Sequence, residues 1–236
     1  MAYTTIDDPS VYFQTALYNG SSSSVTVTND GNSDLKPDWL WFKKRSATGD
    51  HNAFDTSRGL TERLFPNLAS AVDTGSNGIT SLTDGFTSGT FYGDVNANGQ
   101  TFVTWQWVAN GGTTTTNDAS ATSVGTIDSV YQADTTAGFS IVTYTGTGSA
   151  GTIAHGLGST PQVIITKDRE ALENWVMHHH TLGATFIMRM DDTAAKVDAA
   201  SYNDTLPTST VFSVSDGGSI NQSGNDCVSY CFSEKQ

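Results

Sequence analysis

Charge is what this sequence has least of. Asp, Glu, Lys and Arg make up 15% of its 236 residues, against roughly a quarter in an ordinary globular chain. The shortage does not come with a lack of apolar residues: 36% are hydrophobic and 10% aromatic, enough for a core, so disorder is excluded. Basic residues are scarcer still, 11 Lys plus Arg against 24 Asp plus Glu, for a net charge of −13. No basic stripe survives that balance, which argues against a nucleic-acid backbone and against an anionic membrane surface as partner. Long apolar runs are missing too, so no membrane-spanning helix is expected. The opening Met1-Ala-Tyr-Thr-Thr-Ile-Asp-Asp-Pro9 has neither a basic segment nor an apolar one of the secretory type. The expectation is a chain folded in a cytosol. There are two cysteines, Cys227 and Cys231. In a strand they lie roughly 13 Å apart, too far for a disulfide. A disulfide-stapled secreted domain is therefore not expected.

What fills the space is Thr, Ser, Asn and Gly, the composition of short strands and tight turns. The most specific signal is internal repetition. Lys36-Pro37-Asp38-Trp39-Leu40-Trp41-Phe42-Lys43-Lys44-Arg45 answers to Thr160-Pro161-Gln162-Val163-Ile164-Ile165-Thr166-Lys167-Asp168-Arg169, with Pro, Lys and Arg recurring at one offset. Leu17-Tyr18-Asn19-Gly20 answers to Thr143-Tyr144-Thr145-Gly146, and Asp84-Gly85-Phe86 to Thr210-Val211-Phe212. Asn98 to Trp107 answers to Ser223 to Phe232. The order holds over most of each copy, and chance is a poor explanation.

Within each copy apolar residues alternate with polar ones, and Asn-Gly, Asp-Gly and Gly-Gly pairs break the runs, which are strand and hairpin signals. Trp39–Phe42 and Val163–Ile165 are apolar on both faces, as central strands are. Helical candidates are Leu60–Leu64 and Asp191–Ala200. The predicted fold is all-β: a tandem pair of antiparallel β-sandwich domains, jelly-roll or lectin-like, with few short helices. The predicted boundaries are an N-terminal arm over 1–8, a first sandwich over 9–110, a Gly/Thr/Ser-rich linker over 111–135 and a second sandwich over 136–236. Ile127 to Ala133 has the pattern of a strand able to pair with either copy.

Several side chains are candidates for chemistry. His178-His179-His180 invites a metal reading. In a strand, however, only His178 and His180 share a face, and no carboxylate or cysteine stands at a ligand spacing. The expected role is a solvated or interface strand, with His178 and His180 kept as metal candidates. Asp94-x-Asn96-x-Asn98-Gly99 matches the start of a calcium loop. Trp105 occupies the position where the bidentate Glu should stand, and the matching Ser219–Gly224 has no aspartate. A hairpin turn is expected, with Asp94, Asn96 and Asn98 as calcium candidates. Trp39, Trp41, Trp105 and Trp107 answer to Val163, Ile165, Tyr230 and Phe232, which reads as interchangeable core. Trp175 answers to His51, which points to partial exposure. The paired loops are therefore the expected place for ligand contacts, through His51, Asn52, Asn174 and Trp175. No paired carboxylates or nucleophile motif appear, so no catalytic residue and no cofactor are assigned, and the chain is not expected to be an enzyme.

These anchors, with Phe54-Asp55-Thr56-Ser57-Arg58-Gly59 and His155-Gly156-Leu157-Gly158 added, resemble a domain family of uncharacterised function. It is found in virion proteins of tailed phages, especially those of marine bacteria and cyanobacteria. The resemblance implies a virion structural protein of the tail-fibre type, contributing to host attachment and assembly. It implies a place on the virion surface after assembly in the host cytoplasm. It also implies partners among other tail or capsid proteins, a possible host-surface glycan, and a homo-oligomer. A capsid decoration or cement protein is the alternative, and a glycan-binding or glycan-active protein the third. The chain departs from the family's usual setting, a longer protein with lectin-like modules alongside, by holding two copies and little else.

Overall fold

The computed structural model of the chain describes residues 6–75, 78–90 and 93–235. Residues 1–5 of the expected arm lie outside them. The described residues are all-β, with 17 strands, two four-residue α-helices and three short 3-10 helices. They divide into two compact units, Met1–Asn67 with Val72–Gly112, and Thr113–Lys235 with the short segment Leu68–Ala71.

The first unit contains β1 (Phe13–Asn19), β2 (Val25–Val27), β3 (Trp39–Lys44), β4 (Asn52–Asp55), β5 (Ile79–Ser81), β6 (Phe86–Ser88), helix α1 (Gly93–Asn96) and β7 (Thr101–Trp107). Four strands form one antiparallel sheet in the order β1-β7-β3-β4, and three form another in the order β2-β6-β5. Alternation decides which face is buried. Gln14 and Ala16 of β1 and Phe102, Thr104 and Gln106 of β7 are buried, while the residues between them are not. The core cluster takes Ala16, Leu40, Phe42 and Phe54 from the larger sheet, and Val27, Ile79 and Phe86 from the smaller.

The second unit contains β8 (Thr115–Asn117), helix α2 (Ala119–Thr122), β9 (Ser129–Asp134), β10 (Phe139–Thr145), β11 (Gly151–Ala154), β12 (Pro161–Asp168), β13 (Val176–His179), β14 (Phe186–Arg189), β15 (Val197–Asp198), β16 (Val211–Val214) and β17 (Asp226–Ser233). Its large sheet runs β15-β14-β13-β12-β17-β10-β9-β8, and β11 pairs with β16. The stretch β10-β17-β12-β13 repeats the order β1-β7-β3-β4. Cys227 and Cys231 of β17 are free, buried members of this core.

The repetition extends to individual hydrogen bonds. Tyr18 Oη donates to the Val95 carbonyl, and Tyr144 Oη to that of Ile220 at 2.6 Å. Asn96 and Asn221, both fully buried, use their whole amides in the same way. Asn96 Oδ1 accepts from the Ser21 N–H, and its Nδ2 donates to the carbonyls of Ser23 and Gly89. Asn221 Oδ1 accepts from the Thr147 N–H at 2.9 Å, and its Nδ2 donates to the carbonyls of Ser149 and Ser215 at 2.8 and 2.6 Å. Gly20 and Gly146 lie against this knot. A Cβ on Gly20 would strike the Ala97 carbonyl, and one on Gly146 the Gln222 carbonyl, which explains the Tyr-x-Gly in both copies.

Three local expectations differ from the structure. The stretch 111–135, expected as a linker, carries β8 and α2, while the strand expected over Ile127 to Ala133 forms as β9 and pairs with β10 along Val130–Asp134. Leu60–Leu64 is not helical: Leu64 bridges to Ala53 and Arg63 to Asp73 in extended form, with the Arg63 guanidinium on the Asp73 carboxylate. Asp191–Ala200 instead holds β15, which pairs with β14 through Phe186 and Ile187, while the Asp191 carboxylate accepts from the Trp175 N–H and from Asn174 Nδ2.

Replacing Asn221 by Ala would leave the Thr147 N–H and the Ser149 and Ser215 carbonyls without their partner. At about 1 kcal/mol net for each of the three hydrogen bonds removed, the expected loss is about 3 kcal/mol. Equilibrium denaturation measures it. A loss under about 1 kcal/mol would mean the loops hold themselves.

Candidate functional site

The paired loops before β4 and β13 are where ligand contacts were expected, and the structure uses their polar groups internally. His51 is half-buried. Its Nδ1 accepts from Trp41 Nε1 at 2.9 Å, and its backbone N–H donates to Asn67 Oδ1 at 2.8 Å. Asn52 is fully buried, with Nδ2 on the Asp50 carbonyl and Oδ1 accepting from Arg63 Nη1. Asn174 is half-buried against Asp191. Trp175 is 1% exposed and stacks on Tyr230 at 6.4 Å between ring centroids. The exposure expected for Asn52 and Trp175 is therefore corrected. Matching a polar residue across the repeat did not predict exposure, because the two copies bury that position with different chemistry.

The tryptophans correct the opposite expectation. Register places Trp39, Trp41, Trp105, Trp107 and Phe13 on the face of the β1-β7-β3 sheet opposite the core. Trp39 is 1% exposed, but Trp41, Trp105 and Trp107 are only half-buried. The rings form a chain: Phe13–Trp107 at 4.9 Å, Trp107–Trp39 at 4.5 Å, Trp39–Trp41 at 5.7 Å and Trp41–Trp105 at 6.3 Å. Their counterparts Tyr230 and Ile165 are buried, and Val163 and Phe232 half-buried. The repeat matched them by register, and burial did not follow.

The histidine run is not a solvated strand. His178 is 1% exposed, pairs with Ile164 and sets its ring edge-on to Tyr202. Burial lowers its pKa, helped by His179 and His180. His179 Nδ1 accepts from the Thr181 N–H, and His180 opens a 3-10 helix. His178 and His180 line one shallow pocket of about 290 Å³ with Gln162, Leu206 and Pro207. No group of three or more His, Cys, Asp or Glu among the described residues is placed to hold a metal ion.

The calcium-like segment forms α1 rather than a hairpin turn. Asp94 pairs with Lys44 at 3.0 Å, the Asn96 amide is taken up as described, and the Asn98 backbone N–H donates to Ser22 Oγ. The chelating geometry is not formed.

Sequence reasoning missed a buried lysine. Lys167 is fully buried, and its Nζ donates to the carbonyls of Asp168, Ala171 and Ala69 at 2.6, 3.1 and 3.4 Å. Lys43 does the same in the first unit, on the carbonyls of Lys44 and Gly49. The signal was present, since Lys recurs at the offset of the repeat, but it served only to set register.

Burial pushes the thiols of Cys227 and Cys231 up to about 12, which removes their thiolate character. His155 is fully buried, its Nε2 at 3.3 Å from the Thr208 carbonyl and its Nδ1 accepting from the Leu157 N–H. Burial pulls its pKa down to about 4 from 6.5. A second proton on Nδ1 would displace the Leu157 N–H, so the neutral ring is the stabilised form. The stability it contributes is complete above pH 6.5 and is lost as the pH falls toward 4. Melting temperature should fall across that window, with a shallower slope in His155→Gln. Equal slopes in the two proteins would contradict this account of His155.

No helix among the described residues is long and apolar enough to cross a membrane. No curated protein and no solved structure matches the chain. A family model described as "Domain of unknown function (DUF7483)" matches residues 8–236, and the chain belongs to that family.

Proposed function

We propose that the chain is a structural protein of a tailed-phage particle, tail-associated as a fibre, adhesin or adaptor component, acting in assembly and host attachment. The reading takes its units as a tandem pair of jelly-roll or lectin-like β-sandwiches. The observation that carries it is where the buried polar side chains go. Asn96, Asn221 and Lys167 bond to backbone, and Asp38 accepts from the N–H groups of Ala109 and Gly111 at 2.7 and 2.8 Å. Asp55 and Arg58 form a fully buried ion pair at 2.6 Å. These groups hold loops and strand ends, the chemistry of a rigid building block. The partners of such a block are other virion proteins, further copies of itself, and a glycan of the host surface. Its place is the surface of the particle, assembled in the host cytoplasm.

Mass spectrometry and immunogold labelling of purified particles test the reading. The expected result is the protein at the tail in low copy number, with loss of host adsorption and intact particles when its gene is deleted. Absence from purified particles would overturn it, and so would turnover of host polysaccharide by the isolated protein. Labelling over the whole capsid would overturn the tail placement.

A further inference from the structure

The two units differ on the outer side of the first matched strand, as they do beyond the last, where β13 is followed by β14 and β15 and β4 ends its sheet. In the second, β10 is covered on its outer side by β9, with Phe139, Ile141 and Thr143 opposite Asp134, Gln132 and Val130. In the first, β1 is the last strand of its sheet, and no strand among the described residues pairs with its outer side. The inner side is fixed by the Val108 N–H on the Tyr12 carbonyl and the Gly20 N–H on the Gln100 carbonyl. Antiparallel ladders alternate, so the N–H and C=O groups of Phe13, Thr15, Leu17 and Asn19 point outward. These are the positions that β9 serves in the second unit.

The residues just ahead of β1, 8–12, make their bonds elsewhere than along that edge. In the second unit the Asp134 carboxylate takes the N–H groups of Thr136 and Ala137, and its carbonyl that of Gly138, closing the hairpin from β9 into β10. In the first unit the matching Asp8 bonds Ser10 and reaches across to Ser33 Oγ at 2.7 Å. Pro9 then starts a 3-10 helix where the hairpin turn would be.

Edge strands in soluble proteins are usually short, charged, bulged or broken by proline. β1 is none of these. It has seven residues, no charge and no proline, and an unbroken register with β7. Phe13 and Leu17 on it are 39% and 63% exposed.

We propose that a second copy of the chain supplies the missing strand, β1 pairing antiparallel with β1 across a two-fold axis at Thr15. This deepens the assembly reading, on which it rests, by naming its contact. Thr15 then faces its own copy, and Phe13 faces the partner's Leu17 on both sides of the axis. The outward groups of 13, 15 and 17 meet in register, and both exposed apolar side chains gain a cross-strand partner. The pairing is isologous and closes at two chains. Charge selects the same contact: two chains of −13 each repel one another generally, and β1 brings no charge to the approach.

Sedimentation across a wide range of concentration tests it. The wild-type chain is expected at twice the mass of one chain. Leu17→Lys, at a position already mostly in solvent, is expected at the mass of one chain with its circular dichroism spectrum unchanged, and with a melting temperature that no longer rises with protein concentration as the wild type's does. Thr15→Cys should form covalent dimers on mild oxidation, while Leu172→Cys, at a loop position 81% exposed, should not. A wild-type chain that stays monomeric, or a Leu17→Lys variant that still dimerises, would overturn the proposal. Presence in the particle is measured separately, so either result leaves the virion reading standing on its own evidence.

Discussion

In each unit a single buried asparagine touches the chain at the points where it passes between sheets. Asn96 binds the segment leaving β1, the segment entering β2 and the segment leaving β6, and it stands just ahead of β7. Asn221 does the same for β10, β11, β16 and β17. Those segments are irregular, so their backbone groups have no ladder to join, and the buried asparagine amide, which would itself be costly to leave unbonded, takes them up. One amide offers two donors and one acceptor, which is what the crossing needs. The tyrosine at the end of β1 or β10 and the glycine two residues later complete the arrangement. With these crossings held, strands from both sheets can share one apolar cluster in each unit.

The same economy of polar groups shapes what the molecule can do. Its buried amides, carboxylates and lysine are bonded to backbone or to one another, the buried histidines are held toward the neutral form, and the thiols toward the protonated form. What is left toward solvent is sheet face, loop and edge. Among the described residues the outer side of β1 has no paired strand, where the second unit places β9.

Much of this was readable in the sequence. The all-β class, the central strands β3 and β12 and the unbridged cysteines follow from spacing and alternation, and the matched segments fall on strands that share one order, β1-β7-β3-β4 and β10-β17-β12-β13. Even the asparagine knot left a trace, since Asn96 and Asn221 align within the matched turns, though the pattern resembled a calcium loop more than a clamp. What could not be read was burial at matched positions. Trp175 and His51 share a place but not an environment, and Trp41 and Trp105 stay half-buried where Ile165 and Tyr230 are covered. Alignment of two copies transmits register, whereas burial depends on what lies over each sheet. The stretch 111–135 misled for a related reason. Its Gly, Thr and Ser content resembles a linker, yet short edge strands such as β8 need little apolar content of their own.

Amide hydrogen exchange under native conditions tests the central role of the asparagine knots most directly. The Ser21 and Thr147 N–H groups lie in surface-type loops but are bound by Asn96 and Asn221. The account predicts that they exchange as slowly as the amides of β7 and β17, opening only when the unit opens. Exchange of these two amides at the rate of their exposed neighbours, while the strands stay protected, would contradict it.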